Sequence, residues 1–498
     1  MTSKLRNNVL YMLTKSVNVT LTQFRKNITK PHIVFFVLGC IFGIFYLILI
    51  PPFSQPDEIA HFNRVYQISQ GHLLPQKIPG AYGDYIPQSI NNFENSKFQL
   101  LLHNATERTT LSKTLSTIIN KGPTINNDNS KQPIEFVNTE QYSPVVYLPQ
   151  VLAMLFSKVI NLSIADTFYL VRIIGFLAWL IICTYAIKKM KVVGWAVSIL
   201  LLTPLSVSVA SSISADGMTI AYSVLFIGIV IEALMAKTIS NKMIILLAIA
   251  AVLLASAKVP YEILVFLVLL IPADKFTNSR QRFILLSVMA TILVLVMGSW
   301  LFISQKDYVS YRTLTTGIPI NEKIQEAFLL NHPLSFAHKL YDTYLRVNPY
   351  SYDPIWGIVG VLTSIGFSIP EWAIALYFLS LGVVLTKIRN GANNEDYLSK
   401  AKRWYSFGLA VMLFLAINAA VYVSWSREKV QIIEGIQSRY FIPLSLLAVF
   451  FLLPVYKKKA NLTNNFYYFF SFSVVIIQLA AIASIYYQFY AFPMPVIS

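Results

Sequence analysis

The sequence predicts an all-α polytopic membrane protein, with about eleven spanning helices and a large extracytoplasmic loop directly after the first. Three observations predict it. The 498-residue chain is 55% hydrophobic and only 13% charged, with a mean hydropathy of +0.58, whereas a soluble chain carries roughly 25% charged residues. Apolar runs of about 20 residues, the length that crosses a bilayer, recur along it. Its Lys and Arg residues fall in short clusters between those runs, so the net charge of +17 reads as a topology signal. A nucleic-acid binder would gather them into one basic patch, and nucleic acid is the poorer reading.

Residues 1–31 are basic and weakly amphipathic, and suit a cytoplasmic segment on anionic lipid. No cleavable signal peptide is expected, because the first apolar run starts only near Pro31. The transmembrane domain then takes up 32–498. Spans are expected near 32–50, 166–187, 192–210, 217–236, 242–257, 260–273, 283–303, 371–388, 404–424, 439–456 and 466–488. Alternate loops on one face hold 16 basic residues against 4 in the short loops of the other. That bias puts the N-terminus in the cytoplasm, and an odd span count puts the C-terminus outside the plasma membrane. Two long loops, about 51–165 and 304–370, are then external. Cys40 and Cys183 both lie in apolar runs, so no disulfide is expected. The pair Gly39-x-x-x-Gly43 is a helix-packing signal. No repeat is evident, where an inverted repeat would have favoured a transporter.

Immediately after the first span the chain reads Pro56-Asp57-Glu58-Ile59-Ala60-His61-Phe62-Asn63-Arg64-Val65-Tyr66. Ser54 suits an N-cap and Pro56 a first turn. Asp57, His61 and Arg64 then share one face, with the apolar side free to lie along the membrane surface. The bland reading is helix-start chemistry, with acids favoured by the dipole. The sharper one is a base, its orienter and a cation for a leaving group, as sugar transfer or phosphate handling requires.

A second cluster, Glu434-Gly435-Ile436-Gln437-Ser438-Arg439-Tyr440, precedes the tenth span. Arg439 there runs against the charge bias, so an anionic partner is expected, either a lipid head group or a substrate phosphate. Asp216 and Lys258 stand at the same ends of other helices, and Lys258 could simply pair with Glu262 four residues on, though Pro260 between them disturbs that spacing. Arg172, inside the second span, costs about 2.5–3.5 kcal/mol on insertion scales and should face protein or a polar cavity.

Together these motifs resemble the DUF2142 family of bacterial membrane proteins. The resemblance runs through Pro52-Phe53-Ser54-Gln55-Pro56-Asp57-Glu58, His61-Phe62 and Arg64-x-Tyr66. It continues through Tyr142-Ser143-Pro144-Val145-Val146-Tyr147-Leu148-Pro149-Gln150, Arg172, Ser214-Ala215-Asp216-Gly217, and Ile433 to Pro443. The chain departs from that pattern at Ser438, where Gly is usual. It departs again at Gly360-Val361-Leu362-Thr363-Ser364, where an acid is usual. The family looks like a branch of the GT-C glycosyltransferases. The resemblance therefore implies a GT-C-like fold and transfer of a sugar from a polyprenyl-phosphate carrier to an envelope polysaccharide or lipid-linked acceptor. It implies Asp57 as base, Glu58 as its neighbour or substitute, and Arg439 as a contact to the carrier phosphate. His61, Arg64, Tyr66, Asp216, Lys258, Glu434, Gln437 and Tyr440 complete the expected substrate-binding set. No cofactor is expected, because two adjacent acids are a thin set of ligands for a divalent metal. The rival readings are an envelope polysaccharide polymerase and a non-enzymatic transporter of lipid-linked sugars.

Overall fold

Pro31, with its fixed φ and no N–H to satisfy, opens the first long helix, α1 (Pro31–Leu49). The computed structural model describes residues 28–74, 76–103, 122–125, 130–140, 142–299, 302, 320–346, 354–360, 362, 368–390, 398–452 and 462–491. The basic stretch 1–27, residues 303–319, Thr363 and Ser364, and Lys457 to Lys459 lie outside them.

After α1 come α2 (Glu58–Ser69), β1 (Gln76–Ile78), β2 (Ala81–Pro87), α3 (Gln88–His103), β3 (Lys131–Glu135) and α4 (Leu148–Val159). The bundle continues with α5 (Ile164–Lys189), α6 (Gly194–Leu201), α7 (Pro204–Ala210), α8 (Ala215–Met235), α9 (Asn241–Ala255), the 3-10 segment Val259–Leu270 and α10 (Ser279–Ile292). It closes with α11 (Glu322–Asn331), α12 (Pro333–Tyr344), α13 (Pro354–Gly360), α14 (Glu371–Asn390), α15 (Lys400–Trp425), α16 (Ile442–Leu452) and α17 (Asn464–Tyr486). Seven helices among the described residues are long and apolar enough to cross a membrane: α1, α5, α8, α10 with its π-helical extension, α14, α15 and α17. Shorter apolar helices cover Pro144–Val159, Asn241–Ala255, Val259–Leu270 and Ser438–Phe451.

Small residues bring the helices together. A Cβ at Gly43 would enter the Phe176 ring, and one at Gly39 would stand 2.8 Å from Leu180, so α1 lies flush against α5. On its other side α5 packs on α8, the most deeply buried of the long helices.

The structure corrects four expectations. The run 192–210 is two helices, α6 and α7, because Pro204 has no N–H to continue the ladder. Thr203 caps the second half by accepting from the Ser206 amide at 3.1 Å, and Gln478 of α17 donates to the freed Leu202 carbonyl at 2.9 Å. The run 260–273 is 3-10 helix; at about 2.0 Å per residue its 12 residues rise about 24 Å, where an α-helix would rise about 18 Å. The fold is not all-α: β1, β2 and β3 form an antiparallel sheet in that order, with Ile78 opposite Ala81. Gly80 turns the hairpin at φ +81°, and Gly83 is bare where a Cβ would collide with the Ile134 carbonyl. Lastly, Ser54 is no N-cap: its hydroxyl donates to the Pro51 carbonyl, and α2 starts after Asp57.

Candidate functional site

The chain leaves α1 through a strained turn. Phe53 (φ 64°) and Asp57 (φ 63°) both occupy the left-handed region, uncommon for any side chain and costly for Phe. Arg172 of α5 holds the turn from below, donating to the carbonyls of Ile50 (2.8 Å) and Pro51 (3.1 Å). The same guanidinium meets Glu58 at 2.8 and 2.6 Å. Glu58 also accepts from the amides of Phe53 (2.9 Å) and Ile213 (3.0 Å), so four donors engage its two oxygens.

Helix α2 does not lie on a surface. Glu58 and every residue from His61 to Ile68 are buried, because α4, the sheet and the 137–140 turn cover it. Arg64 is fully buried and holds local structure: it donates to Gln67 and to the carbonyls of Leu73 (2.9 Å) and Tyr142 (3.3 Å). Tyr66 lies beneath the Lys158 ammonium, 4.6 Å from its ring centre.

Asp57 remains the accessible carboxylate, with 37% of its side chain exposed. Its Oδ1 accepts from Asn138 at 3.1 Å and its Oδ2 from Arg439 at 3.0 Å, across 382 residues of sequence. Arg439 stands in the 3-10 turn Ser438–Phe441 that leads into α16, and its Nε lies 2.8 Å from Asp216. Asp216 sits in the first turn of α8, which Ser214 caps, and pairs in turn with Lys258 at 2.5 Å. Lys258 therefore pairs with Asp216 and not with Glu262. The result is an alternating chain, Asp57–Arg439–Asp216–Lys258, with its two inner members buried, Lys258 at one end 12% exposed and Asp57 at the other facing out.

Aromatic rings line this chain. The Lys258 ammonium is 4.7 Å from the centre of the Tyr142 ring and 5.1 Å from that of Tyr440. The Tyr261 hydroxyl donates to the Tyr440 carbonyl at 2.9 Å. His61, one turn beyond Asp57, stacks on Tyr142 with its Nδ1 2.7 Å from the Tyr147 hydroxyl. Burial pushes the His61 pKa down to about 4, with Arg439 and Lys258 adding to the effect and Asp57 and Asp216 opposing it. At neutral pH the ring is uncharged.

Of the expected residues, Asp57, His61, Asp216, Lys258, Arg439 and Tyr440 converge. Glu434 turns away to a bidentate pair with Arg427 at 2.6 Å, and the buried Gln437 Oε1 has no hydrogen-bond partner. Tyr142, Tyr147, Tyr261 and Asn138 were not anticipated. The signal for the first two was the Tyr142-to-Tyr147 stretch of the family resemblance. Among the described residues, no group of three or more His, Cys, Asp or Glu side chains could hold a metal ion.

Fold and site define a helical membrane protein with a charge chain where α1 ends and where α8 and α16 begin. The family model for DUF2142, described as a predicted membrane protein, matches residues 40–448, and the chain belongs to that family. No curated protein and no solved structure matches it.

Proposed function

We propose that this protein is an inverting GT-C-type glycosyltransferase. It takes a sugar from a polyprenyl-phosphate carrier at the outer face of a bacterial plasma membrane and gives it to an envelope polysaccharide or a lipid-linked acceptor. The topology that goes with this has eleven spans, a cytoplasmic N-terminus and an external C-terminus, with the α6–α7 pair, α9, the 3-10 segment and α16 completing the count.

One observation carries the reading: an exposed carboxylate held in a strained conformation is bonded to a buried arginine from the far end of the chain. Asp57 is the base. It removes the proton of an acceptor hydroxyl as that oxygen bonds to the anomeric carbon. The bond from that carbon to the phosphate oxygen breaks, and its electron pair leaves on the carrier as a phosphate monoester. Arg439 and Lys258 are the cations for that charge, and the tyrosine rings are faces for the sugar to stack on. In the unliganded chain both cations are neutralised by Asp57 and Asp216. A substrate phosphate that draws Arg439 toward itself frees Asp57 to act, so one exchange of partners prepares both leaving group and base. Glu58, already engaged by four donors, holds the turn and is not the base in this scheme.

The test is Asp57→Asn in a strain lacking the chromosomal gene, followed by sugar composition and linkage of the envelope polysaccharide. Positioned proton transfer is worth about 10²–10⁴ in rate, so the modification should fall to background. Normal decoration by the variant would remove Asp57 as base. Single repeat units in the deletion strain would favour the polymerase instead.

A further inference from the structure

Tyr147 has no exposed surface, and the His61 Nδ1 is its hydroxyl's hydrogen-bond partner. A buried hydroxyl proton left without an acceptor costs about 1–3 kcal/mol. The hydroxyl therefore donates, and Nδ1 accepts with its lone pair. An imidazole that accepts at Nδ1 while neutral must carry its proton on Nε2. His61 is 2% exposed, and among the described residues Nδ1 has a hydrogen-bond partner and Nε2 has none. The stack on Tyr142 and the bond from its own amide to the Asp57 carbonyl (2.9 Å) fix its position one turn from the base.

We infer that His61 is a neutral hydrogen-bond donor to the acceptor, with Tyr147 fixing the Nε2–H form and that N–H orienting an acceptor-sugar hydroxyl for Asp57. This rests on the transferase reading. The charged neighbours decide the role. Arg439 and Lys258 already serve a phosphate, and a third cation beside them is disfavoured. A neutral donor instead suits an uncharged hydroxyl on the Asp57 side. The groups facing the ring are Asp57 from its own helix end, Asp216 from α8, Arg439 and Lys258, and Tyr142 and Tyr147 from the turn before α4. Burial outweighs the two carboxylates, so the ring stays neutral across the physiological range.

The experiment complements the deletion strain with full-length His61→Phe, His61→Gln and Tyr147→Phe, measuring sugar added per polysaccharide repeat. Phe keeps the stack and removes the donor, whereas the Gln amide puts an N–H near the place of Nε2–H. Losing a hydrogen bond of this kind lowers decoration roughly tenfold in His61→Phe, and His61→Gln restores it to within about threefold of wild type. Undecaprenyl phosphate binding to each purified protein checks the fold and the donor side, and it should be unchanged in both His61 variants. In protein labelled with 15N-histidine, the resonance lost in His61→Gln should report a neutral Nε2–H ring from pH 8 to pH 5, and a tautomer mixture in Tyr147→Phe. A protonated ring at pH 6, an Nδ1–H ring, or equal loss of decoration in the Phe and Gln variants overturns the inference. If wild type neither binds undecaprenyl phosphate nor changes the polysaccharide, the transferase reading itself fails, whatever the ring's tautomer.

Discussion

Arg172 and Glu58 meet 2.6 Å apart with no exposed surface on either side chain. They join the middle of the second long helix to the turn that presents Asp57. Breaking a buried pair from one side leaves an uncompensated charge and costs about 3–5 kcal/mol. Glu58→Met and Arg172→Met should each lower stability by that order in detergent denaturation. The double replacement Glu58→Met with Arg172→Met should lose less than the sum. Single variants as stable as wild type would show that the pair does not hold the turn.

Two glycines in long helices make opposite predictions. Gly43→Ala drives a methyl group into the Phe176 ring, whereas Gly382 has nothing within 4 Å of the place a Cβ would take. Overpacking costs about 1–3 kcal/mol, so the first substitution should lower the melting temperature. Gly382→Ala should leave it unchanged or raise it, since alanine stabilises a helix by roughly 0.5–1 kcal/mol over glycine. Equal effects at both positions would contradict the close approach of α1 and α5.

Glu94 of α3 is 3% exposed and, among the described residues, accepts only a 3.3 Å bond from Asn63. Burial raises its pKa from 4.5 to about 8, with the Asn63 bond opposing. Between those values the folded chain holds a proton that the unfolded chain has released. Stability from this group therefore falls as pH rises through that window, by up to about 1.4 kcal/mol per unit, and levels off above it. His61 acts in the other direction between about 4 and 6.5, so the wild-type curve alone is ambiguous. The difference between wild type and Glu94→Gln isolates Glu94: the advantage of the Gln variant should grow from pH 5 to pH 8. A pH-independent difference would mean that Glu94 ionises normally.

Helix α4 buries Gln150, Val151, Ala153, Met154 and Ser157 against the protein. Its opposite side exposes Leu152 (64%), Phe156 (55%) and Val159 (82%). This is the pattern of a helix lying in a lipid interface, and it follows directly on the turn that carries Tyr142 and Tyr147. A spin label on Val159→Cys, with Cys40 and Cys183 replaced, should be relaxed more by oxygen than by a water-soluble nickel complex. Stronger relaxation by nickel would place the stripe in water.

Much of the helical frame was legible because a bilayer imposes a length: α1, α5, α8, α14, α15 and α17 each fall on an apolar run of the expected size. The break at Thr203-Pro204 was missed although Pro204 is in plain view, since hydropathy does not register a missing N–H. The sheet was missed because its strands are 3, 7 and 5 residues long and gain stability only by packing under α2. Within the site, residue types were informative and partners were not. Lys258 and Glu262 looked like a helical pair, but Lys258 is the extended residue before a 3-10 segment, off the helical path, and reaches Asp216.

By itself the sequence determined that this chain lives in a membrane and that acids and cations gather at the ends of its helices, because both follow from local composition. Only the tertiary structure decided which of two adjacent acids is locked away and which stays open. Asp57 and Glu58 are chemically near-identical neighbours. They are told apart by an arginine 114 residues distant that engages one and an arginine 382 residues distant that bonds the other, and pairings at that range are set by packing.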